Sequence, residues 1–363
     1  MSCHVALQQF SSGVFPDSYQ HACTLWEKAL EQLPMAVQRR DFFCTPESDL
    51  RCQTAWLGSS EAHNVLVVIA ATHGVEGFAG TAAQVDWFEL LAAEAIHLPA
   101  STAILCIHAL NPWGYAHSRR CDGQGIDVNR NFIDFSRPLP ENPGYQTLRP
   151  LLAISDKHER AAALADFVSR VGQRDYEIAF SGGQYTDPTG PFFGGTAPSF
   201  SRHVIECLME EHNLSGKRLA VVDVHTGLGP YGYGEVICDH PCGSESAKTA
   251  FDWYGPGCGL PDVGSSSSVP KLGLLDYAWH HILSGDSCFV TLEFGTFGTE
   301  SLFDVLYQEA CVWASGNATD MEKEELGVAM RAHFYPGEQG WREAVIFRSR
   351  QVFLQALNGV SGG

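Results

Sequence analysis

The chain has 363 residues, 45% apolar and 18% charged, a composition that fits a globular protein with a sizeable core and excludes a disordered or fibrous one. Its 23 Lys and Arg against 42 Asp and Glu leave a formal net charge of -19, and no basic run offsets that excess, which argues against nucleic acid and anionic membrane as partners. Met1 to Phe15 lacks the basic start and long apolar stretch of a signal peptide, and no apolar run reaches the ~20 residues that span a bilayer, so a cytoplasmic protein is expected.

In chain order, residues 18–33 read as a helix, and residues 64–70 (NVLVVIA) as the first buried strand. A helix over 80–95 follows, then a strand over 102–108 that runs into Asn111-Pro112. Residues 134–150, rich in Pro and Asn, read as a long surface loop. Helices are predicted over 160–171 and 200–211, and a strand over 218–224 (RLAVVDV). A second long loop covers 255–273 and contains four serines, Ser265 to Ser268. A strand over 287–292 (SCFVTL) and a helix over 301–314 complete the pattern. The strand runs are short and nearly continuously apolar, as strands buried on both faces are. Their alternation with helices predicts an α/β fold with a mostly parallel sheet covered on both sides. One catalytic domain, 1–363, is expected, with residues 1–60 as a helical and strand extension packed on it. The twelve cysteines have no CxxC pair and most read as buried free thiols, with Cys238 and Cys242 as the alternative of a metal pair.

Residues able to do chemistry follow the strand runs. Ala71-Thr72-His73-Gly74-Val75-Glu76-Gly77 sets an imidazole and a carboxylate three positions apart on a turn that enters a helix, where such residues can point the same way. Zinc favours these donors, and a catalytic zinc takes three protein ligands plus water. Asp223-Val224-His225-Thr226-Gly227 puts a second His at the C-terminal end of a strand, the edge at which open α/β sheets bind ligands. His225 is thus a third ligand or a hydrogen-bonded structural His, and Asp223 orients a neighbour or caps the strand. Glu293, in Leu292-Glu293-Phe294-Gly295, is a lone carboxylate in an apolar run, costly unless it is paired or employed. Beside an activated water it can act as general base and then pass the proton to a leaving nitrogen. Arg119-Arg120 and Asp127-Val128-Asn129-Arg130-Asn131-Phe132 supply guanidinium forks and directional amides suited to an anionic substrate end. Asp127 can fix the tautomer of a ligand His.

His73-x-x-Glu76, an upstream Arg, Asn129-Arg130, His225 and Glu293, in that order, resemble the zinc carboxypeptidase superfamily, which includes aspartoacylase-like and succinylglutamate desuccinylase-like amidohydrolases. THGVEGFAG (72–80), NPWGYAHSRR (111–120), DVNRNF (127–132), GGQYTDPTGPFFGGTAP (182–198), DVHTGLGPYGYGE (223–235) and LEFGTF (292–297) look closer still to a bacterial branch labelled a domain of unknown function. The resemblance implies a three-layer α/β/α sandwich around a mixed, mostly parallel sheet. It implies one zinc ion held by His73, Glu76 and His225, with Glu293 as general acid/base. Arg120 is implied to stabilise the oxyanion, with Arg119 the competing assignment, and Asn129 and Arg130 to grip the substrate carboxylate. The expected activity is hydrolysis of an amide next to a free carboxylate, in a peptide or, alternatively, an N-acyl amino acid; an inactive binding protein of the same fold is the third reading. The digestive carboxypeptidases have a catalytic Tyr near this general-base Glu; Tyr277 is not in register for that role. Residues 184–195 have no counterpart there, and form either a specificity pocket or a tight loop.

Overall fold

The four apolar strand runs become the middle of one sheet. A computed structural model describes residues 7–362; Cys3 and the start of the segment read for a signal peptide lie outside the described residues. Its strands are β1 (Val37–Phe43), β2 (Arg51–Leu57), β3 (Asn64–Ala70), β4 (Thr102–His108), β5 (Arg218–Gly227), β6 (Gly234–Ile237) and β7 (Cys288–Gly295). They lie in the order β1-β2-β4-β3-β5-β7-β6. The central β4, β3, β5 and β7 are parallel, while the β1–β2, β2–β4 and β6–β7 pairs are antiparallel.

Successive side chains of a strand point to opposite faces, and β3 shows what that demands here. Leu66 and Val68 join an apolar cluster with Trp26, Phe78, Trp87 and Phe353, while Val65, Val67 and Ile69 join another with Val204, Leu208 and Trp279. The first cluster is closed by helices Tyr19–Glu31, Gly77–Ala92 and Gln339–Ser361, the second by Phe200–Glu211 and the short Asp276–His280. The result is the expected α/β/α sandwich around a mixed, mostly parallel sheet.

Residues 7–60 supply β1 and β2, and β2 pairs directly with β4. Trp26 in helix Tyr19–Glu31 donates to Gln84 Oε1 at 2.7 Å inside the core. The expected loop over 134–150 is corrected in its second half, which is helix Pro143–Leu152. Asn142 caps that helix by accepting from Tyr145 N, and Pro143 opens its first turn; proline costs nothing there, because the first helical N–H groups have no partner. Residues 255–273 contain no helix or strand, and touch the sheet through a bridge from Gly259 to Ile237.

Strand order reverses between β3 and β5, so their carboxyl ends open a crevice. The turn after β3 is docked into it. Gly74 and Val75 donate backbone hydrogen bonds to the carbonyls of Arg120 and Arg119, at 3.3 and 2.8 Å. A Cβ on Gly74 would stand 2.0 Å from the Gly114 carbonyl carbon, so only glycine permits this approach, which brings Arg120 beside Glu76.

Candidate active site

His73 follows β3 directly, Glu76 lies one turn on, and His225 and Glu293 are paired residues of the adjacent strands β5 and β7. All four are buried. The Nδ1 atoms of His73 and His225 are 3.1 Å apart. Glu76 lies 2.8 Å from the first through Oε1 and 3.0 Å from the second through Oε2. Each imidazole is held from behind, His73 Nε2 by Asp127 at 3.2 Å and His225 Nε2 by Asp223 at 2.6 Å. Thr72 Oγ1 donates to both oxygens of Asp223 at 2.9 Å.

These residues fit a metal ion. Two nitrogens and a carboxylate oxygen converge on one point, and nitrogen ligands ~2.0–2.1 Å from a tetrahedral zinc stand about 3.3 Å from each other, close to the separation seen. A carboxylate behind each imidazole would fix its tautomer, as metal-bound imidazoles usually require. Burial opposes ionisation of Glu76 and Asp127, yet the imidazoles facing Glu76, and Arg120 with His73 beside Asp127, hold both below the usual carboxylate range. Burial likewise opposes charge on His225, but Asp223 and Glu76 outweigh it and raise its pKa.

Arg120 spans the cluster, donating from Nε to Asp127 at 2.9 Å and from Nη1 to Glu76 at 3.2 Å. Glu293 Oε1 accepts from Leu228 N at 2.9 Å, and burial together with Glu76 pushes its pKa up to about 7. Arg130 is fully buried; it donates to the carbonyls of Ser181 and Asn129. It has no carboxylate within 4.0 Å among the described residues. Asn129 Oδ1 accepts from Leu275 N at 2.7 Å. Glu76, Arg120, Asn129, Arg130, Asp223 and Glu293, with both histidines, line one cavity.

Arg119 is not brought to this cavity. It is buried in an ion pair with Glu309 and lies over the Trp313 ring at 4.3 Å. Tyr277 donates to the Lys271 carbonyl at 2.9 Å and lines a separate hollow. Residues 184–195 form a tight loop around Gln184, whose side chain bonds the backbone of Thr186, Asp187 and Pro191. From this loop Phe192 reaches the cavity, with Arg120 at 4.9 Å and Arg130 at 5.4 Å from its ring. Cys238 is buried, Cys242 is exposed, and both are free thiols; they form no metal cluster among the described residues.

Three ionisable residues of the cavity escaped the sequence reading: Asp239, Lys271 and Asp276. Lys271 donates to Ser268 Oγ and to the Val269 carbonyl; burial, with Arg130 adding, pushes it down to about 8. Only the serine run beside Lys271, and the lone acid of LLDYAW, hinted at them.

A model of the family described as a protein of unknown function (DUF2817) matches residues 15–348. No curated protein matches in sequence. Among solved structures the chain is similar to carboxypeptidase A from Helicoverpa armigera, at 13% identity and a TM-score of 0.50 over 89% of this chain and 75% of that one. A putative carboxypeptidase A from Shewanella denitrificans gives 11%, 0.48, 96% and 70% on the same measures. The succinylglutamate desuccinylase from Chromobacterium violaceum gives 14%, 0.37, 86% and 74%. At 13% identity the likeness to the first of these is one of fold. No described helix is long and apolar enough to cross a membrane.

Proposed function

The chain belongs to the DUF2817 family, and we propose that it is a zinc-dependent hydrolase of an amide bond next to a free carboxylate, of the carboxypeptidase type. One observation carries the reading: two imidazole Nδ1 atoms and a carboxylate face one point, with an elevated-pKa carboxyl, Glu293, beside them in the same cavity. Zinc bound by His73, Glu76 and His225 supplies Lewis-acid polarisation of a carbonyl and acidifies water.

The chain's own groups do the rest. Glu293 has one oxygen fixed by Leu228 N; the other takes a proton from the attacking water and returns it to the leaving nitrogen, a task suited to a pKa near the working pH. Arg120, held at Nε and Nη1, turns its remaining donors to the charge that develops on the carbonyl oxygen. Arg130, a buried cation whose guanidinium donates only to carbonyl oxygens, and Asn129 receive the substrate carboxylate.

Metal analysis of the purified protein should find one zinc per chain, and a panel of peptides and N-acyl amino acids should give hydrolysis. Glu293→Gln should keep the metal and lower turnover on the order of 10²–10⁴-fold. Full turnover in that variant would overturn the role of Glu293, and a metal-loaded wild type that cleaves no amide would overturn the reading as a whole.

A further inference from the structure

The two edges of the sheet end differently. At the β6 edge, Gly259 N donates to the Val236 carbonyl at 2.8 Å and Cys238 N to the Gly259 carbonyl at 2.9 Å, so the 255–273 loop covers the outer side of that strand. The opposite edge, β1, is longer and open. Gly58 N donates to the Ala36 carbonyl and Cys44 N to the Leu50 carbonyl, in the same register that pairs Val37 with Leu57. Hydrogen-bonded and non-hydrogen-bonded pairs alternate along an antiparallel ladder, so the even-numbered residues of β1 are the ones bonded to β2. The N–H and C=O groups of Val37, Arg39, Asp41 and Phe43 therefore point away from the sheet, and none has a partner among the described residues. Arg39, Asp41 and Phe43 are exposed, Phe43 at 49%. Such an edge is a template for another strand, and charges along it bar indiscriminate pairing.

The charges also select a partner. Only odd-numbered residues turn their backbone outward, so a second copy lying antiparallel pairs odd with odd. A two-fold axis at Arg39 would set that guanidinium opposite itself, and an axis at Asp41 would set two carboxylates together. An axis at Arg40 instead sets Arg39 of each copy opposite Asp41 of the other, with Val37 opposite Phe43 on the same face. Arg39 has no ion pair among the described residues, and its guanidinium donates to the Glu27 carbonyl at 3.4 Å. Asp41 holds Arg51 Nε at 2.9 Å, and a carboxylate has acceptor sites for a second guanidinium. Arg40 faces its own symmetry mate, but its charge is already met by Glu211, and it lies over the Phe42 ring at 4.4 Å. We infer that β1 is a homodimer interface, in which two copies pair antiparallel about Arg40 and join their seven-stranded sheets into one. The cavity lies beyond β2 and β4, at the ends of β3, β5 and β7, so each copy keeps its own site. The inference therefore stands apart from the amide-hydrolase reading.

The test is sedimentation velocity on the full chain over micromolar concentrations, where a dimer is expected. Arg39→Asp makes both positions acidic and Asp41→Arg makes both basic, so either variant alone sets like charges opposite and should weaken association at least about tenfold. An equimolar mixture of the two restores opposite charges at every such pair and should recover the dimer. Asp41→Arg also confronts Arg51, so thermal melting checks its fold. Arg39→Pro removes an outward N–H and no bond to β2, as an edge strand tolerates, and should also yield monomer. A wild-type chain that stays monomeric overturns the proposal and leaves the edge to solvent or to a strand of another protein. A dimer that survives both Arg39→Asp and Arg39→Pro uses a different face and overturns it too. Folded variants that stay monomeric when mixed overturn the register about Arg40.

Discussion

At one end of the cavity the buried charges close on one another, and at the other they are left open. His73, Glu76, His225, Asp127, Asp223 and Arg120 each contact another member of their own cluster. Arg130, Lys271 and Asp276 line the same cavity, yet the two cations reach only neutral oxygens, and Asp276, with no hydrogen-bond partner, is held well above the usual carboxylate range by burial and by Asp239. Both groups sit at the same sheet edge, so burial does not distinguish them. The difference lies in who supplies the partner. A closed network is built to hold its geometry, while buried charges left unpaired store a desolvation cost that a ligand of complementary charge relieves.

Removing one partner from each kind of region breaks or keeps that distinction, and the largest effect is expected outside the cavity. Arg119 and Glu309 form a closed, buried pair. Glu309→Ala leaves a guanidinium buried without its counter-ion, and a loss of about 3–5 kcal/mol in unfolding free energy is expected, read by urea denaturation. Asp276→Asn deprives no protein group of a partner and removes a carboxyl whose charged form burial disfavours, so stability should be unchanged or raised. Equal losses in the two variants would erase the contrast.

The contrast also marks what the sequence could disclose. The central strands were legible because strands buried on both faces are continuous apolar runs, and His73 and His225 because they stand where such runs end. β1 was not, since VQRRDFF lies at the sheet's edge with most residues exposed, and β6 has only four residues. Helix Pro143–Leu152 was hidden by Asn and Pro, although Asn-Pro is also a start signal. Helix Asp320–Phe334 carried a readable capping box in Thr319 and Glu322. The two arginines Arg119 and Arg120 could not be told apart, because neighbouring side chains diverge by a geometry that a dipeptide does not encode. Asp239 and Asp276 could not be found, because neither belongs to a spacing: the chain brings them together from beyond β6 and from the start of a short helix.

A smaller effect is expected when a closed pair is weakened without being emptied. Asp223→Asn keeps the shape beside His225 Nε2 and removes the charge that holds it at 2.6 Å. Zinc affinity should fall roughly 10–100-fold, measured by competition with a chromophoric chelator, while the melting temperature of the metal-free protein checks the fold. Unchanged affinity would mean that this carboxylate does not tune its imidazole.

The smallest effect is a slope, and its sign separates an open charge from a closed one. An ion-paired lysine has its pKa raised, whereas burial holds Lys271 down at about 8 against an ordinary 10.5. Between these values the unfolded chain keeps a proton that the folded chain has released, so the Lys271 contribution to stability rises with pH across that window. Other groups titrate there too, but Lys271→Met removes this contribution alone. Wild-type stability relative to that variant should therefore climb from about pH 8 to about pH 10, read as the difference between two denaturation series on zinc-loaded protein. A difference that falls over the same range would place a carboxylate partner on Lys271. It would then belong with the closed charges.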